Sequence, residues 1–156
     1  MEAKQKHETP PETAGRKEGM RLLARATLAE LSAAWEAIPD KPQVAPVRGP
    51  ETGLVMVRGR IGGGGDPFNL GEATVSRATV RLSTGEVGHG QLLGTDKERA
   101  RFAAIFDALL QNDAHRPAVE ALHRLIAARL EAEDRQRAEE TAATRVDFFT
   151  MVRGED

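Results

Sequence analysis

The sequence has no cysteine in its 156 residues. Without a thiol the chain forms no disulfide, offers no thiolate nucleophile, and has no ligand for an iron–sulfur cluster or a Cys-bound zinc ion. Tyrosine is absent too, and the aromatic residues are Trp35 and five Phe. We therefore expect a protein of the reducing cytoplasm that has no thiol or phenol chemistry of its own.

Long hydrophobic runs and an excess of either charge are also missing. No span approaches the ~18 apolar residues of a transmembrane helix, and residues 1–15 contain no apolar segment typical of a secretory leader. The chain has 22 Lys and Arg against 24 Asp and Glu, a net charge of -2, whereas proteins that coat nucleic acid are usually basic. We expect neither a membrane nor a nucleic acid as partner, and any anion site must be local.

The first 15 residues are polar and include Pro10 and Pro11, a pattern that predicts a disordered N-terminal arm. The remainder, residues 16–156, has the length of a single domain. We expect that domain to contain the whole hydrophobic core, with the arm contributing nothing to it.

The domain is predicted to begin with two helices. Apolar residues at helical spacing indicate helices over residues 16–26 and 28–38. Thr27, followed three residues later by Glu30, is typical of a capping box, in which each side chain binds an unpaired backbone amide at a helix start. The second helix is therefore predicted to begin directly after Thr27.

Residues 39–50 contain four prolines, so no helix continues there, and this stretch is predicted as an extended connector or an edge strand over residues 43–49. The hydrophobic period then changes from 3.6 to 2. Strands are predicted over residues 54–61, 73–82 and 87–93, the last two joined by a short turn. The result is a small antiparallel sheet of three to four strands.

Two further helices are predicted after the sheet. Thr95 and Glu98 repeat the capping-box pattern, and the strongest amphipathic stripe of the chain begins at Phe102. Another stripe starts after Pro117 and fades into residues 131–140, which are mostly charged and predict a solvated end of the helix. The expected fold class is α+β, with the sheet flanked by N-terminal and C-terminal helices.

Arginine recurs on the predicted strands at even spacing. Residues two apart share a face of a strand, so Arg58 and Arg60 point the same way, as do Arg77 and Arg81. If the strands pair, four guanidinium groups could gather on one side of the sheet, where they would suit phosphate or carboxylate. The alternative is an ordinary solvated face balanced by neighbouring glutamates.

A run of four glycines follows the first of these strands: Gly62, Gly63, Gly64 and Gly65. Bare backbone amides in such a run can surround phosphate oxygens. However, no helix follows at once and the Lys-Ser/Thr ending of a P-loop is missing. The run is therefore interpreted as a phosphate-binding loop or, more simply, as a sharply turning one.

No catalytic residue is predicted. His89, between Gly88 and Gly90, could donate to an anion or move a proton, or it could simply pack in a strand. The histidines lack the HExxH spacing of zinc ligands and no serine lies in a GxSxG elbow, so neither a metal site nor an autonomous hydrolase is expected.

The segment over residues 144–154 contains two of the five Phe residues after a highly charged helix. An exposed apolar segment at this place would favour aggregation, so we expect it to be covered, either by the chain's own sheet or, as we favour, by a partner. The predicted partner-binding residues are Val146, Phe148, Phe149, Met151 and Arg153.

Three stretches of the chain together resemble the PhnG family, one of the protein families that form the bacterial carbon–phosphorus lyase core complex. They are residues 51–55 with the glycine run, residues 68–82 and residues 145–154. Residues 93–97 are also similar to that family. The resemblance implies a role in phosphonate catabolism, in a hetero-oligomer with subunits H, I and J and, transiently, L. In that complex the adenine of ATP is replaced by an alkylphosphonate, so ATP is a substrate, and no cofactor is expected on this chain alone.

The resemblance and the arginine pattern lead to one hypothesis about the site. The predicted contacts to a polyanionic substrate are Arg58, Arg60, Arg77, Arg81 and Lys97, with the amides of the glycine run. The competing hypothesis is a non-catalytic scaffold whose C-terminal tail holds another subunit in the assembly. The resemblance transfers no catalytic residue to this chain.

Overall fold

The fold is α+β, as predicted. The computed structural model describes the backbone of residues 11–143, with side chains for residues 15–142. Its elements are, in chain order, α1 (Pro11–Arg25), α2 (Leu28–Glu36), β1 (Val44–Arg60), β2 (Pro67–Leu82), β3 (Val87–Leu93), α3 (Lys97–Leu110) and α4 (Arg116–Ala143).

The three strands form one antiparallel sheet in the order β1-β2-β3. β3 has the predicted bounds, but β2 begins at Pro67, ahead of the predicted start at residue 73. The prediction of a separate fourth strand is wrong, since residues 43–49 and 54–61 are largely contained in the single strand β1. That strand keeps its direction through register shifts around Arg48, and as an edge strand it tolerates Pro46 and Pro50.

α3 lies at the centre of the molecule, between the sheet and the other helices. Its buried residues occupy more than one face, among them Ala100, Ala104, Phe106 and Leu109. The apolar stripe predicted the helix but not this two-sided burial, because alanine contributes little to a hydrophobic stripe. Small residues here allow the helix to approach the sheet closely.

Two N-caps were predicted, and one of them is confirmed. At α2, Thr27 accepts from the amide of Glu30, and the Glu30 carboxylate accepts from the amide of Thr27 at 2.8 Å. At α3 the prediction is wrong by one residue, since the cap is Asp96, whose carboxylate accepts from the amide of Arg99 at 3.0 Å. Asp is a cap at least as strong as Thr, so it displaces the capping box.

The first helix differs from its predicted bounds, and the last helix agrees with its prediction. α1 is already helical at Pro11, the first described residue, ahead of the predicted start at Arg16. At the other end, α4 has its last buried residue at Leu130 and continues with mainly exposed side chains, as predicted for residues 131–140. Residues 1–10 lie outside the described residues.

Candidate functional site

The side of the sheet opposite α3 is open and polar. Along β2, Ala78, Val80 and Leu82 are buried under α3, while Arg77 and Arg81 point away from it, as strand parity predicted. The register places Gln91 beside Arg77 and His89 beside Thr79. We call this surface, formed by Arg77, Thr79, Arg81, His89 and Gln91, the open face.

Arg77 is already paired on the open face. Its Nε donates to Oε1 of Glu51 at 2.6 Å, and Nε of Arg48 donates to the same oxygen at 2.8 Å. The hydrogen bond from Arg77 is the main cause that lowers the pKa of Glu51 below its usual value, with Arg48 assisting. One carboxylate therefore offsets part of the positive charge of two arginines.

Arg81 is different, because no hydrogen bond or ion pair engages its guanidinium within the part of the chain that the structure describes. Near it, Oγ1 of Thr79 and Nδ1 of His89 lie 3.2 Å apart. A guanidinium, a hydroxyl and an imidazole thus occupy one small exposed region. These groups can all donate hydrogen bonds to an anion.

The prediction that four arginines gather on one side of the sheet is wrong. Arg77 lies opposite Glu51, whereas Arg58 lies seven residues further along β1, roughly 23 Å away at the usual rise per residue. The two pairs of arginines also lie on opposite faces of the sheet. Thr52 points to the α3 side, where its hydroxyl meets buried Ser76, and Arg58 and Arg60 lie at even spacing from Thr52 on that strand.

The glycine run forms the tip of the β1–β2 hairpin. After β1 the chain makes a short 3-10 turn over Ile61–Gly63, in which Gly62 and Gly63 have φ values of 59° and 78°. Nη1 of Arg60 donates to the carbonyl of Gly65 at 3.0 Å. The backbone conformation explains why glycine is needed here, and the phosphate-binding interpretation of the run stays a prediction.

Lys97, the remaining predicted contact, is the first residue of α3 and is exposed. It belongs neither to the open face nor to the glycine turn. The predicted substrate contacts therefore fall into separate places: Arg77 and Arg81 on the open face, Arg58, Arg60 and the glycines along the far hairpin, and Lys97 at the α3 start. The predicted partner-binding tail, with Val146 to Arg153, lies outside the described residues.

An ion pair between a partly exposed arginine and a buried aspartate, which the sequence did not predict, lies behind the open face. Arg16 of α1 donates two hydrogen bonds to Asp107, at 2.9 and 2.7 Å, and the amide of His89 donates to the same carboxylate at 2.8 Å. The hydrogen bonding of Arg16 to the Asp107 carboxylate raises the pKa of Arg16. The signal was an aspartate between Phe106 and Ala108 in an apolar stripe, where an ionised side chain needs a partner.

This ion pair also corrects the interpretation of His89. Gly88 and Gly90 do not expose the backbone but bury it against α3, and the imidazole alone reaches the open face. The Asp107 carboxylate holds the amide of His89 and so fixes where the ring can lie. Another histidine, His123 of α4, packs against Gly19, and burial lowers the pKa of His123.

A groove of about 800 Å³ lies between α2 and α4. Half of its lining residues are alanine, together with Ile38, Leu122 and Leu125, and none of the predicted substrate contacts lines it. Within residues 11–143 no group of three or more acidic or histidine side chains is arranged for a metal ion. None of the helices described there is both long enough and apolar enough to cross a bilayer.

Comparison with known proteins agrees with the resemblance noted in the sequence. The family model described as "Phosphonate metabolism protein PhnG" matches residues 14–154. A protein of Rhizobium meliloti (strain 1021) is 85% identical over 143 residues, which are 92% of this chain and 92% of the relative. That relative is named alpha-D-ribose 1-methylphosphonate 5-triphosphate synthase subunit PhnG.

Proposed function

The chain belongs to the PhnG family of phosphonate metabolism proteins, and we propose that it is a subunit of alpha-D-ribose 1-methylphosphonate 5-triphosphate synthase. The observation that carries this function is the 85% identity to a named subunit of that synthase, over nearly the full length of both chains. As a subunit, the chain contributes to a transferase in phosphonate metabolism and does not act as an enzyme alone.

The finer assignment concerns the reaction and the partners. We propose that the chain works in a cytoplasmic carbon–phosphorus lyase core complex with subunits H, I and J, and transiently L. In this complex the adenine of ATP is exchanged for an alkylphosphonate, and ATP is bound as a substrate of the whole complex. This assignment is supported by the resemblance of residues 51–55, 68–82 and 145–154 to the family.

Within that complex we propose that the open face contacts the triphosphate of the substrate. Arg81 supports this role because its guanidinium is exposed and unpaired among the described residues, next to the Thr79 hydroxyl and the His89 ring. A fixed guanidinium stabilises a polyanion and holds it for reaction. Arg58 lies too far from Arg81 for one phosphate group to bind both, so it belongs to a different contact.

A second candidate function is that of a non-catalytic scaffold. Arg77 is already occupied by Glu51, which favours a structural role for that arginine over substrate binding. In this alternative the chain holds other subunits in place and the open face is a docking surface. The two functions differ in whether synthase activity or assembly is lost when the arginines are removed.

Replacing Arg81 with alanine in the reconstituted complex tests these functions. Loss of a charge-assisted hydrogen bond is worth about 1.5–3 kcal/mol. We therefore expect synthase activity to fall roughly ten- to hundredfold, with the complex intact by gel filtration. Arg77→Ala should have a smaller effect on activity, because the guanidinium of Arg77 is already hydrogen-bonded to Glu51.

The matched control is Arg124→Ala, which removes an exposed arginine of α4, away from the sheet. It should leave activity and assembly unchanged. If Arg81→Ala breaks the complex, the scaffold function is supported instead. If activity and assembly both survive, the open face has neither role.

A further inference from the structure

Where the β1–β2 hairpin extends past the end of the sheet, no other element of the described part of the chain covers it. β3 ends at Leu93, opposite Val75, so residues 54–74 form a two-stranded ribbon in which no residue is buried. We call residues 54–74 the projecting hairpin. Two-stranded hairpins are marginally stable in water unless something packs on them.

Apolar side chains lie on both faces of the projecting hairpin. Leu54 and Met56 are 62% and 54% exposed on the α3 side, and Leu70 is 67% exposed. On the other side, Gly59 faces the ring of Phe68. A ribbon that is apolar on both faces is typical of a segment that another protein encloses.

The two outer edges of the sheet differ in how open they are. At β3 the edge is occupied, because the amide of His89 donates to Asp107 and the carbonyl of Val87 accepts from Gln111 at 2.8 Å. At β1 no described residue pairs with the outer side. Among the described residues, the sheet can therefore accept a further strand along β1, and β2 is open in the same way only where it extends past the end of β3.

Only half of the β1 edge is suitable for pairing. Its first part contains Pro46 and Pro50 and two register shifts, features that obstruct a neighbouring strand. From Gly53 to Arg60 there is no proline, and the one register shift, between Val57 and Arg58, has its extra residue, Leu70, on β2. The residues Leu54, Val55, Met56 and Val57 favour strand pairing. The open stretch coincides with the exposed apolar residues of the projecting hairpin.

We propose that another subunit of the synthase adds a strand to the outer edge of β1 at residues 53–60. This proposal rests on the proposed function, since it takes its partner from the same complex. The added strand would satisfy the free backbone groups of this edge, and its flanking side chains would cover Leu54 and Met56. The bound hairpin would then be a three-stranded, enclosed element.

Charge favours a different subunit over a second copy of this chain. Arg58 has no ion pair among the described residues, and Arg60 is bound only to the carbonyl of Gly65. A second copy paired through the same residues 53–60 has no acidic residue in that stretch to place opposite them. A partner strand with acidic residues at this end would neutralise them instead, and we assign that chemistry to the partner.

The test compares two lysine substitutions on one strand. Met56 and Val47 are both 54% exposed on β1, one in the open half of the edge and one in the proline-containing half. We expect Met56→Lys to weaken binding of the full chain to the other subunits by at least ~10-fold, as for a buried interface residue. Val47→Lys should bind like the wild type, and both variants should keep the wild-type melting temperature.

Arg58→Glu keeps the proposal testable if Met56→Lys fails to fold, since Arg58 is exposed and unpaired among the described residues. It should also weaken binding, and hydrogen exchange of the amides over residues 53–60 in the wild type should slow on assembly. Wild-type binding by both Met56→Lys and Arg58→Glu would overturn the proposal that residues 53–60 are the docking edge of β1. A homodimer of the isolated chain that Met56→Lys dissociates would identify a second copy as the occupant and overturn it too.

The proposed function fails separately from the docking edge. If the wild-type chain binds no other subunit of the synthase, both proposals are wrong. If the wild type assembles and supports activity while all edge variants do the same, only the docking edge is wrong.

Discussion

At the scale of single residues, two glycines determine how closely α3 approaches the sheet. A Cβ at Gly88 would lie 2.0 Å from the carbonyl oxygen of Ala104, and one at Gly90 would lie 2.1 Å from that of Ala100. No side chain fits in these spaces. The same close approach brings Asp107 to the amide of His89, so the glycines also position the ion pair of Arg16 with Asp107 behind the open face.

Gly88→Ala should therefore be strongly destabilising. The new methyl group meets helix backbone and not a movable side chain, so α3 must shift, and we expect a loss of at least ~3 kcal/mol in the free energy of unfolding, the upper range for overpacking. Urea unfolding measures this. The control is Gly71→Ala on β2, where nothing lies within 4 Å of the added Cβ. Equal stability of the two variants would contradict the close packing.

At the scale of elements, one arginine joins α4 to α2. The guanidinium of Arg129 donates to both carboxylate oxygens of Glu30, at 2.6 and 3.0 Å, and to Glu133 at 2.6 Å. A further bond at 3.0 Å reaches the carbonyl of Arg25 at the end of α1. Glu30 thus both caps α2 and accepts the hydrogen bonds that attach α4 to α2.

This contact makes stability depend on pH in the acid range. Burial raises the pKa of Glu30, but the hydrogen bonds from Arg129 and Thr27 together outweigh burial and leave the pKa of Glu30 below its ordinary value of 4.5. A lowered carboxyl pKa means that the folded state favours the ionised form. Its stabilising contribution is present above pH 4.5 and is lost as the pH falls through the folded-state value.

Glu30→Gln should accordingly cost about 1–3 kcal/mol at pH 7, as for a hydrogen bond to a charged group. The difference from the wild type should shrink at pH 3. Chemical unfolding at the two pH values measures it. Glu36→Gln, at the exposed end of the same helix, should change the free energy of unfolding little at either pH. A Glu30→Gln deficit that is the same at pH 3 would show that the carboxylate charge is not what matters.

At the scale of the whole molecule, the described core does not depend on the end of the chain. Its last buried residue is Leu130, and α4 continues for thirteen residues to Ala143. The core cluster draws on α1, α2, α3, the sheet and the first half of α4. All members of this described core cluster precede Ala143, and the partner-binding role of the segment after it stays a prediction.

A chain that ends at Ala143 should fold normally and assemble poorly. We expect an unchanged melting temperature, because the core residues are all retained, together with loss of co-purification with the other synthase subunits. The double substitution Phe148→Ala with Phe149→Ala, in the full-length chain, should show the same defect. Wild-type assembly of the truncated chain would refute the predicted role of Val146, Phe148, Phe149, Met151 and Arg153.

Much of the fold is predictable from local sequence. The bounds of β3, the capping box at Thr27, the exposed end of α4 and the alternating faces of β2 were all anticipated. Each depends on residues a few positions apart. The errors at β1 and at the α3 cap have local causes as well, an edge strand that tolerates proline and an aspartate that caps better than its neighbour.

The candidate site was predicted less well. Side-chain parity correctly placed Arg77 and Arg81 on one open face, but it does not specify which residue of β1 lies opposite them. The position of the β1–β2 turn sets that pairing: Arg58 and Arg60 stand next to the turn and lie opposite Asn69 and Pro67, far from Arg77. The ion pair between Arg77 and Glu51, which are 26 residues apart in the sequence, depends on the same register.

The sequence by itself determined the elements, their order and the apolar faces that they bury, because helix and strand periods and caps are set by neighbouring residues. Only the tertiary structure decided that Arg16 meets Asp107 across 91 residues, that α3 rests on two glycines, and that the β1 edge is left open among the described residues. These features depend on which surfaces come together, and that is set by packing of the whole chain at once.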